Sequence, residues 1–85
     1  MNTRSMTKQA GAVVLTKRML QFLILVFLDG CRDDDVSRAL TNLSNGNKEE
    51  YESYKQKMGA RTDIEATYQM MLEWEKAADE LGMWE

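Results

Sequence analysis

The stretch Met19-Leu20-Gln21-Phe22-Leu23-Ile24-Leu25-Val26-Phe27-Leu28 decides how this chain folds. Every residue in it except Gln21 is apolar, and Lys17 and Arg18 stand directly before it. Crossing a bilayer as a helix takes about 20 apolar residues, so these ten do not make a transmembrane segment. The β-branched and aromatic residues would tolerate a strand, but nothing elsewhere in the chain reads as a partner strand. A helix from about Ala12 to Leu28 is therefore expected. Val13, Val14, Leu20, Leu23, Ile24 and Phe27 share one face of it. Leu15, Met19, Phe22, Leu25, Val26 and Leu28 make the rest apolar too. A helix greasy nearly all round belongs at the centre of a bundle, or forms half of an oligomer interface.

The sequence on its C-terminal side continues in helices. Asp29-Gly30 ends the first, with Gly30 suited to a left-handed cap. Asp33, Asp34 and Asp35 lie where carboxylates satisfy the free N–H groups of a new helix, expected over Asp34–Leu43. Val36, Ala39, Leu40 and Leu43 fall at i, i+3, i+4, i+7, a single apolar stripe. Ser44-Asn45-Gly46-Asn47 reads as a turn, and Asn47 with Glu50 has capping-box spacing. A third helix, about Lys48–Met58, carries Tyr51, Tyr54 and Met58 as its stripe and stops at Gly59. Thr62 and Glu65 have the spacing of a second capping box, opening a fourth helix over about Asp63–Leu81. There Ile64, Met71 and Ala78 repeat every seven residues, with Trp74 and Leu81 three further on and Tyr68 widening the seam. Gly82 ends it. The expected fold is all-α, a small bundle of four helices. Residues 1–10 are expected to be a flexible basic arm without periodicity, and 11–85 a single α-helical domain.

Charge is divided along the chain. The first 28 residues hold Arg4, Lys8, Lys17 and Arg18 and no acid, a charge of +4. The other 57 hold all 14 acids against 7 bases, a charge of −7, so the net −3 conceals a dipolar molecule. The acidic part favours partners with basic surfaces.

The chain is poor in catalytic groups. It has no His, which removes the commonest acid–base residue near neutral pH and the commonest metal ligand. Cys31 stands alone, so neither an intrachain disulfide nor a cysteine metal cage can form, and a reducing cytoplasm suits it. Asp29, Asp33, Asp34 and Asp35 are the one dense carboxylate cluster, but their spacing is not that of a calcium loop and Arg32 sits among them. Helix capping accounts for them without a metal. No catalytic, cofactor or metal residue is assigned, and no enzymatic activity is expected.

From Leu15 to Met58 the order is helix, Gly-containing turn, short helix with Val36-Ser37-Arg38-Ala39-Leu40, turn, then Asn47 to Met58. In spacing this resembles a helix-turn-helix module, which would place the third helix in a DNA major groove. Under that reading Arg4, Lys8, Lys48, Lys55 and Lys57 are the nucleic-acid-binding residues. The third helix, however, opens with Glu49, Glu50 and Glu52, which would face a polyanion where a reading helix offers Arg, Asn, Gln or Ser. A third reading takes Leu28-Asp29-Gly30-Cys31 as a bacterial lipoprotein box with Cys31 lipidated. Asp29 is a poor fit in such a box.

The leading expectation is a small protein-binding regulator, adaptor or inhibitor that works through an acidic, aromatic helical face. Tyr68, Met71, Trp74 and Trp84 are its candidate anchors, and Glu73, Glu75, Asp79 and Glu80 its acidic rim. A homodimer is expected as well, from the greasiness of the first helix and the seam of the fourth.

Overall fold

The computed structural model describes residues 15–84, and within them the chain is all-α, with no strand. Four helices follow in order: α1, Lys17–Asp29; α2, Asp34–Asn45; α3, Lys48–Gly59; and α4, Glu65–Leu81. The basic arm, the expected start of α1 at Ala12, and Arg4 and Lys8 lie outside the described residues.

Local sequence chemistry sets most of the boundaries. Thr16 caps α1, its hydroxyl accepting from the Met19 N–H at 3.2 Å. Asp33 caps α2 by accepting from the Val36 N–H at 3.2 Å. Asn47 caps α3 by accepting from the Glu50 N–H at 3.3 Å. At the end of α2, Gly46 takes φ 78°, and the Asn47 N–H donates to the Asn42 carbonyl at 2.9 Å. Gly82 repeats this after α4 with φ 66°, the Met83 N–H donating to the Ala78 carbonyl at 3.0 Å.

Two expected caps are absent. Gly30 is not left-handed; its φ is −104°, and a tight turn with N–H donation to Phe27 and Leu28 closes α1. The Thr62–Glu65 capping box does not form either, and α4 begins at Glu65 behind Ile64 with no side-chain cap. The neighbouring Asp63 carboxylate is drawn back to Arg61, at 2.7 Å.

The core gathers Leu20 and Ile24 of α1, the whole α2 stripe (Val36, Ala39, Leu40, Leu43), Tyr51 and Met58 of α3, and Met71 and Ala78 of α4. The expected stripes of α2, α3 and α4 all face it. Helix α2 touches all three other helices and packs most closely on α3, whereas α1 and α3 do not pack on each other. The expectation that α1 is central is thereby corrected: α2 is central and α1 lies at the edge. Apolar supply explains this. The other three helices each offer one narrow stripe, which can cover one side of α1 and no more.

An ionic knot ties the loops together. Arg61 donates to both oxygens of Asp33, at 2.9 and 2.6 Å, and to both oxygens of Asp63, at 3.0 and 2.7 Å. It also reaches Asp35 at 3.2 Å. One guanidinium thus joins the start of α2 to the α3–α4 connection.

Candidate docking surface

Helix α1 is held to the bundle by a few groups on one side. Leu20 and Ile24 are fully buried. The Phe27 ring meets Trp74 edge-on, with centroids 5.8 Å apart. The Gln21 amide donates to the Ser44 carbonyl at 2.9 Å, fastening α1 to the end of α2.

The opposite side of α1 is uncovered among the described residues. Phe22 and Leu25 are 64% and 65% exposed, Val26 56%, Leu23 44% and Met19 40%. Met19, Phe22, Leu23 and Val26 follow at i, i+3, i+4, i+7 and so form one stripe, with Leu25 widening it. Five large side chains, each 40% or more exposed on one side of a helix, make a contiguous apolar patch of the kind that marks an interaction surface, a few hundred Å² in size at roughly the scale of the largest patch on a typical monomer. Its ends carry opposite charges: Lys17 and Arg18 at the N-terminal end and Asp29 at the C-terminal end, all exposed. Shallow grooves lined by Arg18, Met19, Phe22 and Leu23, and by Leu25, Val26, Leu28 and Asp29, border it. No helix among the described residues is long and apolar enough to cross a membrane.

The aromatic anchors expected on α4 turn largely inward. Met71 is fully buried, so a partner cannot reach it, and its assignment as an anchor is corrected to core. Trp74 is half-buried under Phe27. Tyr68 is half-buried, its ring against Gly59. Trp84 folds back onto α3, its ring tilted on Tyr51 at 5.1 Å between centroids and its N–H bound to Asp79. Of the acidic rim, Glu73, Asp79 and Glu80 are exposed on α4, but Glu75 is engaged internally. It accepts from the Tyr51 hydroxyl at 2.7 Å and pairs with Lys55 at 2.7 Å. Burial first, then Glu75, pushes the Tyr51 phenol far above its usual range. Burial opposes the Lys55 charge, yet the hydrogen bond and charge of Glu75 outweigh it and raise the lysine pKa.

The basic residues of α3 are similarly occupied. Lys48 lies over the Trp84 ring at 5.6 Å, Lys57 over the Tyr54 ring at 5.0 Å, and Lys55 is paired with Glu75. Glu49, Glu50, Ser53, Gln56 and Lys57 are exposed on α3, a mixed face with carboxylates at its N-terminal end. At the acidic cluster, Asp33 and Asp35 face Arg61. The hydrogen bond from Arg61 holds the Asp33 carboxyl below its ordinary range, and that of Asp63 likewise. Cys31 is half-buried, its thiol 3.7 Å from the Asp33 carbonyl.

Sequence reasoning marked the first helix as the centre of the bundle or half of an oligomer interface without separating its five open residues from its seated ones, and it did not foresee the role of Arg61. The signal for the first was present: apolar residues at nearly every position of one helix exceed what a single buried stripe needs. For the second there was none, since Arg61 joins residues 28 positions apart. Comparison with family models, with curated proteins and with solved structures gave no match for this chain.

Proposed function

We propose that this protein is a small non-enzymatic adaptor or regulator that acts by binding another polypeptide, and that the open face of α1 is its docking surface. The observation that carries the reading is the uncovered row around Phe22, Leu25 and Val26, on a helix whose other side is firmly seated. Large apolar side chains grouped on one face, rimmed by charge, have the composition of a protein interface. The exposed Glu73, Asp79 and Glu80 of α4 add a preference for partners with basic surfaces. The emphasis moves from the α4 aromatics to α1 because Trp74, Tyr68 and Trp84 are spent on internal packing.

The test is a double variant, Phe22→Asp with Leu25→Asp, used beside the unaltered chain as bait for cross-linking in cell extract. Both positions are open, so helix content should hold. The complexes formed by the unaltered chain should be lost. Equal complexes from both baits would contradict the reading.

A further inference from the structure

Resting on that docking face, we infer that its occupant is a second copy of this chain, laid antiparallel so that α1 packs on α1. Arg18, Phe22, Leu25 and Asp29 follow at i, i+4, i+7, i+11 and form one row along the exposed side of α1. The row runs cation, apolar, apolar, anion. Turned end for end, it is its own complement: Arg18 meets the second copy's Asp29, and Phe22 meets Leu25. A two-fold axis between the helices makes each contact twice, as an isologous dimer requires. A parallel arrangement would instead put Arg18 on Arg18 and Asp29 on Asp29.

Charge and area agree with this. Among the described residues neither Arg18 nor Asp29 is in an ion pair, so both are open to pairing across the axis. Arg18 and Asp29 stand about 16 Å apart along the axis, three helical turns, so each charge sits beyond the apolar centre as a rim. Two copies of the face remove at most about 1,000 Å² from water, the area a specific interface should at least reach. The dimer is therefore expected to be reversible.

A charge swap reads the geometry. The unaltered full chain, Arg18→Glu, Asp29→Arg and the double variant are compared by sedimentation equilibrium at low salt, where surface charges are least screened. Each single change puts like charges at both ends of the dimer and should weaken association about tenfold. The double variant restores opposite charges in the antiparallel arrangement and should recover the original dissociation constant. Circular dichroism of all four confirms that the exposed changes leave the fold intact. An unaltered chain that stays monomeric at the highest soluble concentration overturns the inference. So does a double variant no better than its singles. A chain that is monomeric yet floats with phosphatidylserine-containing vesicles also overturns it, and assigns the face to lipid. Were the chain monomeric while the Phe22→Asp, Leu25→Asp bait still lost its complexes, self-pairing would fail and the broader docking role would stand.

Discussion

Arg61 shows how a single residue replaces a set of weaker local devices. Its guanidinium spends its donors on Asp33, Asp35 and Asp63, and so braces the N-cap of α2 against the start of α4, which has no side-chain cap of its own. Arg61→Ala should lower the melting temperature at neutral pH, and Arg61→Lys should not restore it, because an ammonium cannot serve two carboxylates in the bidentate manner. Asp33 and Asp63 have lowered pKa values in the fold, so their contribution is present above the ordinary carboxylate pKa of 3.8 and fades as pH falls below it. The gap between Arg61→Ala and the unaltered chain should therefore close in acid, as melting curves through pH 3 would reveal. Tyr51 and Lys55 behave in the opposite sense. Both pKa values are raised, so their stabilisation is complete below about pH 10 and is lost as pH rises further. Tyr51→Phe removes the hydrogen bond to Glu75 and should cost about 1 kcal/mol in chemical denaturation near neutral pH. None of these pairings was legible in sequence. Glu75 read as an outward acid on α4, and only the approach of α3 gave it Tyr51 and Lys55.

At the scale of the element, reading the sequence served well wherever the information was local. The α2 stripe, the Asn47 cap and the Gly82 terminus depend on residues within a few positions of one another, and each forms. Gly30 and the Thr62–Glu65 box depart from local preference: a tight turn closes α1, and α4 begins behind Ile64 with no side-chain cap while Asp63 turns back to Arg61. The heptad seam of α4 is core, and its large side chains are anchors between helices. Met71→Ala should cost about 2–5 kcal/mol, the usual range for emptying a buried methionine site. Trp74→Ala removes the ring on which Phe27 rests and should destabilise the protein by about 2 kcal/mol, through α1 loosening from α4. Fluorescence from the remaining Trp84 reports the α3–α4 end, and far-UV circular dichroism reports all four helices: in Trp74→Ala the dichroism should begin to fall before the Trp84 transition.

For the whole molecule, the consequence is an uneven use of apolar surface. Helices α2, α3 and α4 consume their stripes in one core, whereas of the apolar side chains of α1 only Leu20, Ile24, Phe27 and Leu28 reach it. The excess lies open as a face bounded by Arg18 and Asp29, and the docking role proposed here depends on it. The helical class and the surplus on α1 were legible in the sequence. Which side of α1 would stay uncovered was not, because that depends on α1 settling at the edge against α2 and α4. The chain has two phenylalanines, one on each side of this helix: Phe22 on the open face and Phe27 against Trp74. Fluorine-labelled phenylalanine therefore gives two resonances that read the two sides separately. On raising the protein concentration, or on adding a captured partner, the Phe22 signal should move from its water-exposed position while that of Phe27 holds still. A Phe22 signal unmoved by both additions would contradict the account.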